Sequence, residues 1–464
     1  MHFNPILDTD SYKTGHFLQY PPGTERIFGY LESRGGRYGE TLFFGLQYWL
    51  KEYLSRPVTD TDITEAADLC HAHGVPFPED GWRHIVAVHG GRVPVRIRAV
   101  PEGTIVPVRN ALLTAESTDP RVPWIVGWIE TQLMRIWYPI TVATRSLYCK
   151  RVIATYLRKT ADDPAAELPF KLHDFGARGV SSRESAGIGA MAHLVNFKGT
   201  DTIEGLRFAC HYYGSGMAGF SIPAMEHSTV TAWGRRGEVD AYRNMIRANP
   251  DHAILACVSD SYDIDGAVEH LWADELLDEV RESGKTIVIR PDSGDPAEVN
   301  VRLLKILERK VGMAINGKGY KVLPKFFRLI QGDGNDDEDA IDRVLGALRQ
   351  HGYSASNIAF GMGGGLLQKL DRDTQRFAFK LSAITVNGEE RDVRKDPKTD
   401  PGKASKAGRL DLVRGAAGEW RTVVIPSGQA DVPGSELVTY YDDDHILVDD
   451  SFEKIRTRAE AGLW

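Results

Sequence analysis

The sequence contains few cysteines, and none of them lies at a motif spacing. Cys70, Cys149, Cys210 and Cys257 are the four cysteines of the 464 residues, and no two of them form a CxxC pair. A zinc ribbon or a thioredoxin-type redox motif is therefore not expected. Four scattered cysteines in a chain of this length fit free thiols in a reducing compartment, so we expect a cytoplasmic protein.

Long apolar runs and an excess of basic residues are also missing. No segment approaches about 18 uninterrupted apolar residues, and the N-terminus MHFNPILDTDSYK lacks the basic and apolar regions of a signal peptide. The net charge is −8, from 56 basic and 64 acidic residues, whereas a general nucleic-acid binder usually has a basic excess. We therefore expect neither a membrane nor a nucleic acid as partner, while a local basic pocket for a small anion stays compatible with the charge.

What the chain does contain is enough material for more than one domain. Its hydrophobic content of 42% is ordinary for a protein with a packed core. Residues 84–118 are rich in Val and Ile broken by Gly and Pro, which predicts an antiparallel β region. Residues 122–158 predict two helices with a break at Tyr138-Pro139, and β character returns after about residue 380. We predict segments at 1–165, 166–379 and 380–464.

Between these β regions, strands alternate with amphipathic helices. A weaker strand candidate, GFSIPA, begins at residue 219. Alternation at this spacing predicts βαβ units and parallel strands. The carboxyl ends of such strands share one face, which is where α/β proteins form their sites. The strand candidates begin near Phe170, Ala253, Thr286, Phe326 and Asn357.

The stretch from Lys171 to His227 concentrates charged, aromatic and glycine residues after a strand. Glycine lets the backbone approach a ligand closely, and loops of this composition often bind one. Phe175 could stack on a flat ring or simply pack in the core. His227 begins a helix, where it could act as nucleophile or base or could merely cap the helix.

Other predicted strands also end in polar residues. Asp260 and Asp263 follow one strand, Asp292 lies in RPDSG, and Asp333 lies in QGDG. Together they could hold Mg²⁺ or ribose hydroxyls, although each alone could form an Asx turn or a helix cap. GMGGG at 361–365 could bind an anion through its backbone, but it is not a P-loop. Basic residues accompany these ends at Arg178, Arg290, Arg328 and Arg372.

A basic loop, RKDPKTDPGKASKAGR, covers residues 394–409. A charge run with Pro and Gly is most simply a solvated loop. The functional interpretation is a lid that brings its lysines onto phosphate groups.

Several long strings in this chain resemble one family in the family's own order. They are DTDSYK, LHDFGARGVSS, NFKGTDT, PAMEHSTVTAWG, SDSYDI, IRPDSG, IQGDG, FGMGGGLLQKL and KDPKTDPGKASKAGR, and they span roughly residues 8–410. The family is that of the nicotinamide phosphoribosyltransferases, which are type II phosphoribosyltransferases. The resemblance implies an α/β fold with an irregular (β/α) barrel and an antiparallel β-rich domain built from both chain ends. It implies a homodimer with two sites at the interface.

The resemblance also implies an activity in NAD salvage. Nicotinamide and 5-phosphoribosyl 1-pyrophosphate (PRPP) would give nicotinamide mononucleotide and pyrophosphate, with Mg²⁺ as cofactor. ATP would phosphorylate His227 and so stimulate turnover. Asp292 and Asp263 would join His227 as catalytic residues, and Asp263 would lie near Mg²⁺.

The binding roles carry over residue by residue. Phe175 and Tyr12 of the partner subunit would stack on the two faces of nicotinamide, and Asp201 would accept a hydrogen bond from its carboxamide. The remaining implied residues are Asp10, Arg178 and Arg290 near the ring, Ser259, Arg328, Gly332, Asp333, Gly363 and Gly364 on the phosphoribosyl group, and Arg34, Arg372, Lys380, Lys395 and Lys403 on pyrophosphate.

Three other functions remain open at this point. A nicotinate phosphoribosyltransferase would share the fold, although Asp201 would repel the carboxylate of nicotinate. A metal-dependent barrel lyase or hydrolase could use Asp260, Asp263 and Asp292, but it would leave the basic residues unexplained. A non-catalytic scaffold fits poorly with so many polar strand ends.

Overall fold

The strands of the protein are seen in a computed structural model, which describes residues 3–395 and 405–463. The predicted pyrophosphate ligand Lys403 lies outside these ranges. The strands are β1 (Thr24–Ser33), β2 (Glu40–Leu42), β3 (Val95–Ala99), β4 (Ile105–Pro107), β5 (Ala111–Ser117), β6 (Leu172–Asp174), β7 (Gly199–Thr200), β8 (Ile254–Val258), β9 (Thr286–Arg290), β10 (Ala314–Ile315), β11 (Lys321–Val322), β12 (Phe327–Gln331), β13 (Ile358–Met362), β14 (Phe377–Val386), β15 (Glu389–Asp392), β16 (Leu410–Arg414), β17 (Trp420–Val424), β18 (Val438–Asp442) and β19 (His445–Ile446).

The α-helices cover much of the remaining described chain. None of the helices in these ranges combines the length and apolar character that a membrane span requires. They are α1 (Leu46–Trp49), α2 (Asp60–His73), α3 (Glu79–His89), α4 (Ile125–Met134), α5 (Trp137–Thr160), α6 (Pro164–Glu167), α7 (Arg183–His193), α8 (Ile203–Tyr213), α9 (His227–Thr231), α10 (Glu238–Ala248), α11 (Ile264–Gly266), α12 (Leu277–Ser283), α13 (Pro296–Val311), α14 (Glu338–Gln350), α15 (Gly364–Leu367) and α16 (Phe452–Ala461).

The predicted parallel strands form one sheet in the order β7-β6-β13-β12-β9-β8, and all of its pairs are parallel. The weak strand candidate at 219 joins its two edges. Phe220 pairs with Gly199 on one side, and Ala224 pairs with Ala256 on the other. Because Pro223 lies between them and has no N–H to donate, this segment makes isolated bridges rather than a strand. The sheet thus closes into the irregular barrel that the resemblance implied.

Helices outside the barrel begin with side-chain caps. Asp295 accepts a hydrogen bond from the backbone of Glu298 and starts α13, which has Pro296 in its first turn. Asp337 caps α14 in the same way. Each of these helices buries one apolar stripe against the barrel, as helical periodicity requires, so the βαβ prediction is confirmed.

A second sheet is antiparallel and draws strands from both halves of the chain, as predicted. Its order is β15-β14-β1-β5-β3-β18-β19. The long pair β1–β14 runs from Thr24 opposite Val386 to Ser33 opposite Phe377. This pairing places residues near 34 beside residues near 376. The predicted segment boundaries at 165/166 and 379/380 stay predictions.

Two local predictions need correction. Residues 84–89 are not β, because Trp82 and Ile85 bury one face of α3, which continues to His89. The helix break lies at Arg135 and Ile136 rather than at Tyr138-Pro139. Pro139 stands in the first turn of α5, where its missing N–H costs no helical hydrogen bond.

Candidate active site

Asp174 organises the exit of β6. It is fully buried, and its Oδ1 accepts the Gly176 backbone N–H at 2.7 Å while its Oδ2 accepts the Thr200 hydroxyl at 3.0 Å. The Asp201 backbone N–H donates to the Asp174 carbonyl at 2.9 Å. Asp174 therefore fixes the turn that carries Phe175 and the loop that carries Asp201 beside each other.

The ring of Phe175 lies flat on β13 because residue 361 is glycine. A Cβ added to Gly361 would come within 1.9 Å of Phe175 Cε2. The ring also packs on Ala256, Val288 and Ile330 from three other strands, yet it stays partly exposed. One face of an aromatic ring is thus held rigidly at the mouth of the barrel, where a flat ligand can stack on it.

An apolar cavity of about 540 Å³ lies inside the barrel below this ring. Val288 and Ile330 line the cavity and also support Phe175. His173 lines it as well, and burial lowers the pKa of His173, against a smaller opposing effect of Asp201. Ser221 lies on the cavity wall and donates its hydroxyl to Asp201 Oδ1.

His227 begins α9 and contacts Asp260. Its Nε2 lies 2.9 Å from Asp260 Oδ1, and the Asp260 Oδ2 accepts the Asp292 backbone N–H at 3.1 Å and the Ser293 hydroxyl at 2.6 Å. Burial raises the pKa of Asp260, but the hydrogen bonds from Ser293, His227 and Asp292 outweigh it and hold that pKa below its usual value. The His227 side chain is 45% exposed, whereas that of Asp260 is 4% exposed. Asp260 is thus an ionised buried anchor for a histidine that can reach solvent.

Arg290 and Asp292 follow β9 and face the end of β12. Arg290 Nη2 lies 3.8 Å from Asp292 Oδ2, and the buried Nε of Arg290 has no hydrogen-bond partner among the described residues. A Cβ at Gly332 would come within 2.2 Å of Asp292 Oδ1, so glycine is needed for this approach. Asp333, next in the chain, is exposed.

The glycines after β13 lie beside the exit of β6. A Cβ on Gly179 would lie 3.4 Å from the Gly364 backbone, and nothing in the described chain would lie within 4 Å of a Cβ on Gly364 itself. Gly363 is partly exposed and Arg178 is exposed. The backbone here is open to a ligand, as the GMGGG motif predicted. We call Phe175, Asp201, His227, Arg290 and Asp292 the rim cluster.

Two predicted phosphoribosyl ligands do not present their side chains to the rim cluster. The buried hydroxyl of Ser259 accepts Trp272 Nε1–H and donates to the Cys257 carbonyl, both at 3.0 Å. Arg328 lies near the start of β12, at the opposite end of the barrel, and donates Nη1 to backbone carbonyls of residues 323–327 at 2.7–3.1 Å. The position of Ser259 after a strand and of Arg328 within one does not show that their side chains are engaged in hydrogen bonds inside the protein.

Asp263, the predicted Mg²⁺ neighbour, lies on the loop after β8. It is exposed, and its Oδ1 accepts the Gly266 backbone N–H at 3.2 Å and so caps α11. The helix-cap alternative is therefore realised, and the exposed carboxylate also stays accessible from solvent.

A second group of predicted residues lies at the end of the β1–β14 pair. Arg34 donates Nε to Glu32 Oε1 at 2.9 Å, and its buried Nη2 has no hydrogen-bond partner in the described ranges. Glu32 is itself buried and also pairs with Lys406 of the basic loop. Arg34 therefore keeps one guanidinium nitrogen available for a ligand.

Lys380 lies in β14 opposite Tyr30. Burial lowers the pKa of Lys380, Glu130 opposes this, and the nearby cations Arg34, Lys13 and Arg372 lower the pKa further. Arg372 is exposed and touches Asp373 at 3.2 Å. We call Arg34, Arg372 and Lys380 the cation cluster, since its mutual repulsion favours a bound anion. Lys395, also predicted for pyrophosphate, is exposed.

The short 3-10 helix Ser11–Leu18 is fixed on α4. Lys13 Nζ lies 2.8 Å from Glu130 and donates to the Gly127 carbonyl at 3.2 Å, and Asp10 accepts the Thr131 hydroxyl at 2.6 Å. Tyr12 nevertheless remains 63% exposed. A large aromatic ring on an anchored segment is available for contact with another molecule.

The sequence pattern identifies Asp260 as a strand-end acid but does not pair it with His227. It also does not indicate that Gly361, Ser221 and Asp174 support Phe175 and Asp201. The string LHDFG contained Asp174, but only the barrel order shows which side chains meet.

Comparisons with known proteins agree with this geometry. The nicotinate phosphoribosyltransferase (NAPRTase) family model matches residues 170–445, and the nicotinamide phosphoribosyltransferase N-terminal domain model matches residues 4–97. A nicotinamide phosphoribosyltransferase of Xanthomonas campestris pv. campestris is 53% identical over 468 residues, which cover 99% of each chain.

Two solved structures share the fold. One is a nicotinate-nucleotide pyrophosphorylase from Pyrococcus furiosus, with a TM-score of 0.61 and 16% identity, and the other is a human nicotinic acid phosphoribosyltransferase, with a TM-score of 0.56 and 18% identity. Each alignment covers 98% of this chain and 93% of the other. The chain therefore belongs to the nicotinate phosphoribosyltransferase (NAPRTase) family, on the branch of the nicotinamide phosphoribosyltransferases.

Proposed function

We propose that the protein transfers the phosphoribosyl group of PRPP to nicotinamide, which gives nicotinamide mononucleotide and pyrophosphate for NAD salvage. The observation that carries this proposal is the arrangement around Asp174, which fixes an aromatic ring and an anionic side chain at one barrel mouth. Phe175 stacks on the pyridine ring, and Asp201 accepts a hydrogen bond from the carboxamide NH₂. Arg178, and Asp10 from the segment that carries Tyr12, contribute polar contacts around the ring.

Asp201 supplies the preference for the amide over the acid. A carboxylate pairs with an N–H donor, whereas the carboxylate of nicotinate would place two like charges together. A polar mismatch of this kind can discriminate by several orders of magnitude. The Ser221 hydroxyl on Asp201 Oδ1 holds the carboxylate and leaves Oδ2 for the ligand.

The phosphoribosyl group fits beside the ring. Asp292 and Asp333 accept the ribose hydroxyls, and the open backbone at Gly363 and Gly364, with Gly332, approaches the phosphate. Arg290, whose Nε has no protein partner in the described chain, faces the same space. As the bond to pyrophosphate breaks, ribose develops positive charge, and positioning of the ring nitrogen supplies much of the rate.

The leaving pyrophosphate binds the cation cluster, together with Lys395 and Lys403. The lowered pKa of Lys380, caused by burial and by neighbouring cations, favours an anion at this place. Mg²⁺ fits the residue types at the barrel mouth, because Asp263, Asp292 and Asp333 offer partly or fully exposed carboxylate oxygens. When bound, Mg²⁺ neutralises part of the pyrophosphate charge.

ATP acts through His227. Asp260 accepts the Nε2–H of His227, so the Nδ1 lone pair is the free nucleophile. Nδ1 forms a bond to the γ-phosphorus of ATP while the bond from that phosphorus to ADP breaks, and the phosphohistidine then favours bound PRPP.

The assembly is a homodimer, in which Tyr12 of the partner subunit covers the second face of nicotinamide. The exposure of Tyr12 on an anchored helix supports this arrangement. The four cysteines are free thiols, which supports the reducing environment of the cytoplasm.

The test is product formation from PRPP and Mg²⁺ with nicotinamide or nicotinate, each with and without ATP. We expect mononucleotide from nicotinamide alone, in amounts that ATP raises. In His227→Ala, slow synthesis remains and ATP no longer stimulates it, while the exposed His270→Ala is the control.

Nicotinate is the rival substrate, since the family model that covers the barrel bears its name. Product from nicotinate alone would keep the fold and overturn the role of Asp201. Product from neither base would overturn the proposed reaction.

A further inference from the structure

Two histidines and one aspartate converge on a single point outside the site described above. The Nε2 atoms of His84 and His89 each lie 2.7 Å from the same oxygen, Oδ2 of Asp119. The three ligand atoms lie within 4.8 Å of one another. Both histidines belong to α3, with His84 in its middle and His89 at its end, and Asp119 belongs to the turn between β5 and α4. The group joins two segments that are 30–35 residues apart in sequence.

The group is enclosed and its carboxylate is held in place. The side chains of His84, His89 and Asp119 are 9%, 21% and 11% exposed. Asp119 Oδ1 accepts the Arg121 backbone N–H at 2.7 Å, and the Asp119 carbonyl accepts the N–H of Val122. Oδ2 is therefore left for the histidines. The hydrogen bond from the Arg121 N–H to Oδ1 orients the carboxylate, as contacts outside the ligand atoms do at metal sites.

The donor atoms also suit a cation. Two imidazole nitrogens and one carboxylate oxygen form a donor set typical of Zn²⁺, which leaves a fourth tetrahedral position for water.

The geometry needs only a small adjustment. Zinc–ligand distances of about 2.0–2.2 Å in a tetrahedron place the ligand atoms roughly 3.3 Å apart. The nitrogens and Oδ2 lie 2.7 Å apart, so each contact must widen by about half an ångström. His89 is the last residue of α3 and precedes Gly90 in a left-handed conformation, and the Asp119 side chain lies in a turn. The His89 and Asp119 side chains can therefore each move by about half an ångström.

We propose that His84, His89 and Asp119 bind one Zn²⁺ ion, with water in the fourth position. The residues lie on no barrel strand end and touch none of the rim or cation clusters, so the site is independent of the proposed reaction. The metal fastens the end of α3 to the start of the segment that leads into α4.

Helix α3 packs against α4, and α4 in turn holds the helix that carries Tyr12. Trp82 of α3 packs edge-on against Trp128 of α4 and against Trp124, with ring centroids 5.2 and 5.4 Å apart. The far side of α4 holds the Ser11–Leu18 helix through Glu130 and Gly127. Zinc therefore stabilises the support of Tyr12 without contacting a substrate.

The experiment uses full-length protein without an affinity tag, stripped with a chelator and titrated with ZnCl₂. We expect one Zn²⁺ per chain by elemental analysis and calorimetry, and a rise in melting temperature of at least about 2 °C. His84→Gln and His89→Gln keep an N–H donor for Asp119 but remove a ring nitrogen, and each loses both the stoichiometric Zn²⁺ and the thermal shift.

The matched control is His71→Gln, since His71 is exposed on neighbouring α2. It keeps the metal and the shift. Asp119→Asn keeps an acceptor for both histidines, so it folds and binds Zn²⁺ at least tenfold more weakly. Equal zinc content in wild type and His89→Gln would overturn the proposal, as would a wild-type melting temperature that Zn²⁺ leaves unchanged. Either result would leave the triad a hydrogen-bonded contact only.

Discussion

The rim cluster and the cation cluster differ in how their polar groups are satisfied within one chain. At the rim, Asp260 receives hydrogen bonds from His227, Asp292 and Ser293. In the cation cluster, a buried Arg34 nitrogen has no partner among the described residues, and like charges lower the pKa of Lys380. The carboxylate that holds His227 is therefore preorganised by the protein. Arg290 of the rim and Arg34 of the cation cluster each keep a buried nitrogen without a partner among the described residues, but only the cation cluster adds repulsion between like charges. Substitutions in the two places should separate specificity and stability from anion binding.

Asp201→Asn should produce the largest change, because it alters charge where the rim meets the base. We expect the ratio of nicotinamide to nicotinate kcat/KM to fall by about 100-fold. Steady-state kinetics with both bases measure the ratio. The exposed Asp278→Asn is the control; an unaltered ratio in Asp201→Asn would refute the role of Asp201.

Lys380→Met should weaken the binding of PRPP but raise the stability of the ligand-free protein. Loss of a cation raises the KM for PRPP about tenfold, which corresponds to about 1.4 kcal/mol. A lowered lysine pKa means that the folded chain holds this proton less tightly than the unfolded chain. The charge therefore costs stability at neutral pH, and the cost disappears as the pH rises through the lowered pKa.

Ligand-free Lys380→Met should accordingly melt about 1 °C above wild type at neutral pH, a difference that narrows at alkaline pH. Steady-state kinetics measure the KM for PRPP. Calorimetry without and with pyrophosphate measures the melting temperature and its rise on anion binding. The exposed Lys318→Met serves for comparison. A lower melting temperature for Lys380→Met would show that Lys380 is satisfied within the chain.

Mixed subunits should test whether the rim needs a second chain. Tyr12→Ala and Phe175→Ala are each nearly inactive alone if both rings stack on one base. In a re-associated equimolar mixture, half of the dimers are mixed and each has one intact site, so activity returns to about 25% of wild type. The assay is activity after subunit exchange. A mixture no more active than its components argues that each site is built from one chain.

Asp260→Asn should act on stability rather than on specificity. Loss of hydrogen bonds to a buried carboxylate destabilises the fold by about 1–3 kcal/mol at neutral pH. The folded pKa lies below the usual 3.8, so the contribution is present above about pH 4 and is lost as the pH falls through the folded pKa. Urea unfolding from pH 3 to 7 measures it. A difference between variant and wild type that stays constant down to pH 3 would contradict an ionised Asp260.

The barrel strands and the sheet from both chain ends could be predicted because apolar periodicity and turn residues are local signals. Phe175 was recognisable by its place after such a strand. Asp201 was assigned only through the family resemblance, because it follows the two-residue strand β7, which the sequence pattern did not predict. The contact of His227 with Asp260 was not, because it joins residues 33 positions apart and depends on the segment 220–224 lying beside β8. Arg34 and Lys380 likewise meet only through the β1–β14 register. The β prediction at residues 84–89 failed because Val and Ile content outweighed the helical spacing of Trp82 and Ile85.

The closure of the barrel has a mechanical consequence. The barrel consists of the six parallel strands and segment 220–224. This segment is held to its neighbours by isolated bridges instead of a continuous ladder of hydrogen bonds. Local opening of the barrel should begin where it has the fewest backbone hydrogen bonds. The amide hydrogens of residues 220–224 should therefore exchange sooner than those of the strands on either side. The same segment contains Ser221, which donates to Asp201, and leads into His227, which contacts Asp260. The least bonded segment of the barrel therefore joins two of the contacts that hold the rim cluster.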